Sequence, residues 1–321
     1  MEIMNLIKPQ RLRLGDTIGI IAPASAAASP EGYARSAAAL EQLGFKPKLS
    51  PNLRQRWGFL AGTDAERAAD LMSLFTADDI HGIICLRGGY GTARLLPLLD
   101  FAEIRRHPKV FVGYSDITSL HCALRLHAGL VSFHGPMLEG ALAHPELPPF
   151  TLQSLLKTVM QPEPAGPLSA GLPAPSAVTI RGGRATGELM GGNLSVLVTT
   201  LGTPYQPDFA GRILFLEDID EKPYRCDRML THLLNAGVLA QVAGVAVGMA
   251  TNCHDPQAAP GGAYRQTVEN VLAERLGGLG VPVVRNLPFG HVPLNATLPV
   301  GVRATLDADA GELVIEAAAV N

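Results

Sequence analysis

The chain has 321 residues, a length that predicts two domains at about 150 residues each. Hydrophobic residues make up 47% of the sequence and charged residues 17%, which is enough to build packed cores. The formal net charge of −3 argues against nucleic acid or an anionic membrane surface as a partner.

The chain begins "MEIMNLIKPQRLRLGD", which lacks the apolar core of a secretory signal, so a cytoplasmic location is expected. The longest apolar stretch, "AGVLAQVAGVAVGMA", is too short and glycine-rich to span a bilayer. The four cysteines have neither C-x-x-C nor metal-ligand spacing. We therefore expect reduced thiols, although the spacing is also compatible with two chance disulfides. No metal or cofactor is predicted.

The first half of the chain alternates strand and helix patterns. "TIGIIA" predicts a strand, and "YARSAAALEQLG" predicts a helix that Gly44 closes. Thr63 and Glu66 form a capping-box pattern before the next helix. "GIICL" and "KVFVG" predict two further buried strands. This alternation is typical of a parallel sheet with helices on both faces.

Residues 161–177, "QPEPAGPLSAGLPAPSA", are rich in Pro, Gly and Ala, and predict an interdomain linker. The linker divides the chain into an N-terminal domain, residues 1–160, and a C-terminal domain, residues 178–321. The second part again alternates, with strands at "RILFLE" and "VAGVAVGM", helices at "YRCDRMLTHLLNAG" and "YRQTVENVLAERLGG", and late strands at "RATLDA" and "ELVIEA". The predicted fold class is α/β.

Ser115 lies where a predicted strand ends and a predicted helix begins. It has two interpretations. Serine is a preferred helix N-cap, and taken alone this is the stronger interpretation. A tight strand-to-helix turn can instead expose a nucleophilic serine, but G-x-S-D differs from the G-x-S-x-G signature of α/β-hydrolases.

The segment "RGGYG", residues 87–91, follows a predicted strand. Its simplest interpretation is a tight turn, and it fails the G-x-G-x-x-G pattern of dinucleotide sites. Its backbone N–H groups could also stabilise an oxyanion in the crevice at the carboxyl ends of the strands.

Two further residues complete a possible catalytic set. Glu217 ends the strand pattern "RILFLE" at a carboxyl edge, although the acidic run "EDIDE" could equally be a solvated loop. His291 lies in the loop "PFGHVP", where a surface histidine is the default expectation. Together with Ser115 they give the order Ser, Glu, His, one of the orders found in serine triads.

The sequence resembles the LD-carboxypeptidases (muramoyltetrapeptide carboxypeptidases), a family of serine peptidases. The resemblance runs in order from residue 18 to 301. It rests on "IGIIAPAS", "FLAGTDAERAADLMSLF", "IICLRGGYGTARLL", "VGYSDITSLH", "HGP", "GGNLSVL", "LFLEDIDEKPYRCDRML" and "GHVPLNATLPVG".

The resemblance implies a role for each matching residue. Ser115 would be the nucleophile, His291 the general base and Glu217 the residue that orients His291, with the backbone N–H groups of Gly89 and Asp116 as the oxyanion hole. The Asp116 side chain would cap the following helix. The implied fold is an N-terminal Rossmann-like parallel-sheet domain and a smaller C-terminal α/β domain, with the active site at their interface.

The implied reaction releases terminal D-alanine from murein tetrapeptides during cytoplasmic cell-wall recycling, by a homodimer that needs no cofactor. Arg87 could bind the terminal carboxylate, but a salt bridge to a structural carboxylate is the more usual role. One alternative is a peptidase of the microcin C self-immunity type, which cleaves aminoacyl-nucleotide analogues. The lack of aromatic residues between Met160 and Leu201 argues modestly against a base-stacking site. Another alternative is a non-catalytic binding protein on the same fold.

Overall fold

The computed structural model describes residues 4–172, 177–254 and 266–321. Its strands form two sheets. The strands are β1 (Thr17–Ile21), β2 (Lys46–Leu49), β3 (Gly82–Cys85), β4 (Val110–Gly113), β5 (Ser132–His134), β6 (Pro164–Pro167), β7 (Val178–Arg181), β8 (Arg184–Asn193), β9 (Ile213–Ile219), β10 (Gly244–Thr251), β11 (Val283–Arg285), β12 (Leu298–Val300), β13 (Arg303–Asp307) and β14 (Glu312–Ala318).

Helices connect and cover these strands. The α-helices are α1 (Pro30–Gln42), α2 (Asp64–Thr76), α3 (Phe101–Arg106), α4 (Thr118–Ala123), α5 (Pro149–Met160), α6 (Leu194–Leu197), α7 (Pro223–Asn235) and α8 (Val268–Leu276). Short 3₁₀ or π turns cover Thr92–Arg94, Leu96–Leu98, Ser115–Ile117, Leu124–Ala128, Leu138–Leu142 and Val198–Thr200. No helix in the described ranges has both the length and the apolarity needed to cross a membrane.

The first sheet has the order β12-β5-β4-β3-β1-β2, and its strands β1 to β5 are parallel. The order of these five strands reverses between β1 and β3. In open parallel sheets, ligands bind outside the carboxyl ends of the strands at such a switch point. The prediction of a Rossmann-like parallel-sheet domain is confirmed, and the topology places its functional crevice beyond the ends of β1, β3 and β4.

The second sheet has the order β6-β14-β13-β8-β9-β10-β11-β7. Strands β8 to β11 pair in parallel, whereas β13, β14, β6 and β7 add antiparallel edges. The strand "RILFLE" is β9, but it continues two residues beyond Glu217, to Ile219. Glu217 is therefore held inside a regular strand, which fixes its backbone more firmly than a loop position would.

The predicted linker contains a strand. Residues Pro164–Pro167 form β6, which pairs antiparallel with β14 at the edge of the second sheet. Proline is tolerated there because an edge strand leaves one row of N–H positions unpaired. Residues 173–176 of the linker lie outside the described residues. The first sheet also contains a strand from the C-terminal part of the chain, because β12 pairs antiparallel with β5.

The predicted helix boundaries follow from local chemistry. Gly44 takes φ +85° just after α1, the left-handed conformation that favours glycine at a helix end. Thr63 accepts a hydrogen bond from Glu66 N, and the Glu66 carboxylate accepts one from Thr63 N. This is the reciprocal capping box that the sequence predicts, and both predictions are confirmed.

Candidate active site

Ser115 occupies a strained turn at the carboxyl end of β4. Its φ is +66°, a conformation that costs a residue with a side chain about 1–3 kcal/mol. The turn continues as the 3₁₀ segment Ser115–Ile117 and then as α4. Tyr114 occupies the N-cap position, and no side chain caps this helix start. The interpretation of Ser115 as a helix cap is therefore wrong, and the strain serves some purpose other than helix initiation.

Asp116 fastens the serine turn to the glycine-rich turn. Its Oδ2 accepts a hydrogen bond from Thr92 N at 2.9 Å, and its carbonyl oxygen accepts one from Thr92 Oγ1 at 2.5 Å. The sequence predicted that this carboxylate caps its own helix, and that prediction is wrong. The carboxylate instead accepts a hydrogen bond from Thr92, the residue after "RGGYG". Burial raises the pKa of Asp116, while the Thr92 bonds oppose that rise.

The glycine-rich turn passes directly beside the serine. A Cβ atom on Gly88 would lie 3.2 Å from Ser115 Oγ, and a Cβ on Gly89 would lie 2.2 Å from Ser25 Oγ. Gly89 also has φ +120°, which a residue with a side chain rarely adopts. The absence of a side chain at Gly88 lets the backbone of this turn approach Ser115 closely, and its absence at Gly89 leaves room for Ser25.

Glu217 and His291 form a buried pair. His291 Nδ1 and Glu217 Oε2 are 2.7 Å apart, and their side chains are 14% and 0% exposed. Gly290 makes this approach possible, since a Cβ there would lie 2.9 Å from Glu217 Oε2. Thr251 Oγ1 donates to the His291 carbonyl at 2.9 Å and fixes the loop backbone. The imidazole therefore has one nitrogen held by a carboxylate and the other, Nε2, directed away from it.

Tyr114 connects this pair to the serine turn. Its ring centroid lies 4.7 Å from that of His291 and 5.9 Å from that of His134. Burial, with a smaller contribution from the Glu217 charge, raises the pKa of Tyr114 to about 12. Because Tyr114 directly precedes Ser115, this ring contact places the imidazole near the serine turn, although no hydrogen bond joins Ser115 Oγ to His291 among the described residues. No role for Tyr114 was predicted, although it lies within the quoted segment "VGYSDITSLH".

A second polar connection joins the two sheets behind the site. Asn193 N donates to Thr118 Oγ1 at 2.9 Å, and Asn193 Nδ2 donates to Asp218 Oδ1 at 3.0 Å. Asp218 follows Glu217 in β9, and Thr118 begins α4. Burial raises the pKa of Asp218 to about 6. No role was predicted for these residues, although all three lie in segments that carry the family resemblance, "VGYSDITSLH", "GGNLSVL" and "LFLEDIDEKPYRCDRML".

Arg87 lies next to the glycine-rich turn and faces a structural carboxylate. Its Nη1 is 3.7 Å from Glu139 Oε2, and both Glu139 oxygens also accept hydrogen bonds from Ala28 N. The expectation of a structural salt bridge for Arg87 is confirmed. In residues 4–172, 177–254 and 266–321, no group of three or more His, Cys, Asp or Glu side chains is placed to hold a metal ion.

A serine on a strained strand-to-helix turn, next to a histidine oriented by a buried carboxylate, is the arrangement of a serine-type hydrolase. Family comparison narrows this class. Residues 18–135 match the LD-carboxypeptidase N-terminal domain, and residues 186–306 match the LD-carboxypeptidase C-terminal domain. The chain belongs to the LD-carboxypeptidase family, and the protein is a serine-type carboxypeptidase.

Individual relatives agree with this assignment. The chain is 40% identical to a probable murein peptide carboxypeptidase of Bacillus subtilis, over 97% of this chain and 94% of the relative. It is 35% identical to the murein tetrapeptide carboxypeptidase of Pseudomonas aeruginosa, over 90% and 92% of the two chains. Its fold resembles that of MccF in complex with glutamyl sulfamoyl guanosine, with TM-score 0.86, 26% identity and coverage of 98% and 99%.

Proposed function

We propose that this protein hydrolyses the L,D-peptide bond that releases terminal D-alanine from murein tetrapeptides. The observation that carries the proposal is the 2.7 Å contact between His291 Nδ1 and Glu217 Oε2, next to the strained turn of Ser115. The relatives named murein peptide and murein tetrapeptide carboxypeptidase supply the substrate class.

In the first half of the reaction, Ser115 Oγ attacks the carbonyl carbon of the residue before D-alanine. His291 Nε2 accepts the serine proton, and Glu217 stabilises the imidazolium and keeps its tautomer fixed. The negative charge that develops on the carbonyl oxygen is stabilised by the backbone N–H groups of Gly89 and Asp116. Both groups belong to the two turns that Thr92 ties together.

In the second half, His291 returns the proton to the amine of D-alanine, which leaves. A water molecule then attacks the acyl-serine while His291 accepts its proton, and His291 returns that proton to Ser115 Oγ as the bond to the shortened peptide breaks. Ser115 comes from the first sheet, whereas Glu217 and His291 come from the C-terminal part of the chain. The proposed division at residues 161–177 therefore places the reaction between two domains.

The location and assembly of the protein belong to the same proposal. A role in recycling cell-wall fragments requires a cytoplasmic enzyme, and family analogy favours a homodimer without nucleic acid as partner. Light scattering of the purified protein tests the dimer directly, since a monomeric mass over the working concentration range contradicts it.

A second candidate function has one observation in its favour. Phe59 and Tyr90 are 65% and 54% exposed and pack edge to face, with ring centroids 5.6 Å apart, at the glycine-rich turn. Exposed aromatic rings next to a catalytic turn could stack on a base, as an aminoacyl-nucleotide substrate of the MccF type requires. The higher sequence identity to murein peptide and tetrapeptide carboxypeptidases favours the murein substrate.

The deciding experiment incubates the purified protein separately with murein tetrapeptide and with an aminoacyl sulfamoyl nucleotide. Mass analysis of the products is expected to show loss of one D-alanine from the tetrapeptide. A Ser115→Ala variant serves as the control for contaminating peptidases. Cleavage of the nucleotide analogue alone would overturn the murein assignment in favour of the second candidate.

A further inference from the structure

The side chain of Arg67, in α2, is a buried positive charge that the proposed reaction does not use. The residue is 1% exposed and has one of the largest fully buried side chains in the described ranges. Burial lowers the pKa of Arg67, and the Asp64 carboxylate opposes that shift. An arginine guanidinium keeps its proton in proteins, so the charge stays inside the molecule. A buried charge is unfavourable unless hydrogen bonds replace its hydration, so the contacts of this group indicate its role.

The guanidinium joins two loops at the crevice. Arg67 Nη1 donates to the carbonyl oxygen of Pro23, in the loop after β1. The same nitrogen donates to the carbonyl oxygen of Gly91, at the end of the glycine-rich turn after β3, at 3.0 Å. Arg67 Nη2 donates to Asp64 Oδ1 at 2.5 Å, which supplies the opposite charge. The two loops follow the strands between which the strand order reverses, so Arg67 holds together two walls of the place where ligands bind in such sheets.

The end of the glycine-rich turn is fixed by two side chains. Gly91 has φ +124°, and a Cβ atom there would lie 3.0 Å from Arg67 Nη1, so only glycine lets the guanidinium come this close. The next residue, Thr92, is held by the Asp116 carboxylate at 2.9 Å. Asp116 connects the turn to the serine, whereas Arg67 connects it to the loop after β1.

Both loops that Arg67 holds reach the proposed oxyanion hole. In the glycine-rich turn, Gly88 lies against Ser115, and Gly89 lies against Ser25. Ser25 belongs to the loop of Pro23, and its N–H donates to the Gly88 carbonyl at 3.4 Å. A shift of either loop would therefore move the Gly89 N–H relative to the carbonyl oxygen of a bound substrate. A misplacement of about 1 Å in an active site can lower the rate about 10²-fold.

We propose that Arg67 is a positioning residue for the oxyanion hole, because its bonds to Pro23 and Gly91 keep the Gly89 N–H directed at the substrate carbonyl. The inference rests on the proposed function for the role of Gly89. Lysine cannot replace this arginine, since a single ammonium group lacks the planar fork that reaches two carbonyls and a carboxylate together. Arg67→Lys therefore keeps the charge and loses the geometry, whereas Arg67→Met loses both.

Two rates test the proposal. D-alanine release gives kcat and KM. A fluorophosphonate probe gives the rate at which Ser115 Oγ bonds to phosphorus, with loss of fluoride and transfer of the serine proton to His291, and it needs no peptide. We expect Arg67→Met to lower kcat and the labelling rate constant about 10²-fold with little change in KM, because the oxyanion is stabilised only in the transition state. Arg67→Lys should fall between Arg67→Met and the wild type.

Two further variants make the test specific. Arg94→Met is the matched control, because Arg94 Nε donates to the other oxygen of Asp64 at 3.0 Å, and in the described part of the chain its side chain bonds to neither loop carbonyl. It should keep the wild-type rate constants. Asp64→Asn keeps the shape of the partner of Arg67 and removes its charge, so it should lower the labelling rate constant in the same direction. It replaces the Arg67 variants if those do not fold.

The final amount of label separates positioning from folding, since it counts the competent molecules. A purely structural role predicts less labelled protein with an unchanged rate constant, and that result in Arg67→Met, or in Asp64→Asn if it replaces them, would overturn the inference. If the wild type is labelled in an Arg67-dependent manner but releases no D-alanine, the positioning role stands and the reaction assignment fails. A wild-type protein that is not labelled at Ser115 would overturn both.

Discussion

Among single residues, Ser115 is unusual because its φ is +66°. A helix can begin with ordinary negative φ angles, so helix formation does not require this conformation. The Ser115 side chain does not cap the helix, so no capping hydrogen bond compensates for the backbone strain. The neighbouring Asp116 and Thr92 hold the turn from the side. Backbone strain of this kind persists at functional sites because the surrounding structure over-determines it.

The proposed roles predict a graded loss of activity. Ser115→Ala and His291→Ala should each lower kcat by roughly 10⁴-fold or more, and the double variant should be no worse, because the two groups act as one unit. Glu217→Gln should be impaired less than either, since the nucleophile and base remain. Release of D-alanine by the four proteins checks the order. A Ser115→Ala protein that keeps wild-type turnover would contradict the role of the nucleophile.

The strained turn also predicts a separation of stability from activity. Ser115→Gly and Ser115→Ala should both be inactive. Glycine adopts positive φ without steric cost, so Ser115→Gly should unfold with a free energy about 1 kcal/mol higher than Ser115→Ala. Urea denaturation of the two variants measures this difference. Equal stability of the two would mean that the turn relaxes to an ordinary conformation when the hydroxyl is removed.

At the scale of elements, the short strand β5 places a histidine in the core without a polar partner. His134 is fully buried, and neither ring nitrogen has a hydrogen-bond partner in the described part of the chain. Its neighbours include the rings of Phe215 and Phe289. His121, in α4, is equally buried but bonds to Ser132 Oγ and to the Gly113 carbonyl, each at 2.8 Å.

These two histidines predict acid lability with a defined sign. Burial lowers the pKa of His121 to about 4 and that of His134 well below its ordinary value, so both are neutral when folded. A group with a lowered folded pKa contributes stability above its unfolded pKa, about 6.5 for histidine, and loses it as the pH falls. The free energy of unfolding should therefore decline from about pH 6.5 towards pH 4.

Replacing His134 tests this directly. His134→Leu removes a buried polar group that lacks a partner, so stability at pH 7.5 should be unchanged or higher by about 1 kcal/mol. The acid decline should also become shallower. The matched variant His121→Leu leaves Ser132 Oγ and the Gly113 carbonyl without their hydrogen-bond partner. Its free energy of unfolding should therefore fall by about 1–3 kcal/mol at the same pH. Denaturation curves at pH 7.5 and pH 5 distinguish the two, and equal destabilisation of both would refute the assignment.

At the scale of the whole molecule, the C-terminal part of the chain contributes a strand to the first sheet. Strand β12 follows most of the second sheet in sequence but pairs with β5 in the first, with Leu298 opposite His134 and Val300 opposite Ser132. Asn193 adds a polar connection between Thr118 and Asp218. Unfolding of the C-terminal part would therefore remove an edge strand from the N-terminal sheet.

This shared strand predicts cooperative unfolding. Although the family comparison recognises two domains, scanning calorimetry should show a single transition, because the first sheet is complete only with β12 from the C-terminal part of the chain. A fragment limited to residues 1–160 should be much less stable than the intact protein, since it lacks β12 and leaves β5 as an exposed edge. Two well-separated transitions, or a fragment as stable as the whole protein, would show that β12 contributes little to the stability of the first sheet.

Elements whose stabilising partners lie nearby along the chain can be predicted from the amino-acid pattern. The capping box of Thr63, the helix end at Gly44 and the strands β1, β3 and β4 of the parallel sheet follow from local chemistry and hydrophobic pattern, whereas β2 and β5 were not predicted. The order Ser115, Glu217, His291 and the family resemblance also pointed to the candidate site. Local rules succeeded there because their partners lie only a few residues apart.

Contacts between distant segments depend instead on how the folded elements pack. The sequence predicts that the Asp116 side chain caps its own helix, yet its carboxylate accepts a hydrogen bond from Thr92 N, and the Thr92 hydroxyl donates to the Asp116 carbonyl oxygen. Tyr114 meets His291 across 177 positions of chain, and β12 returns to the first sheet. Such contacts are set by how the two sheets pack, which no local spacing encodes, and they place Glu217 and His291 beside the turn of Ser115.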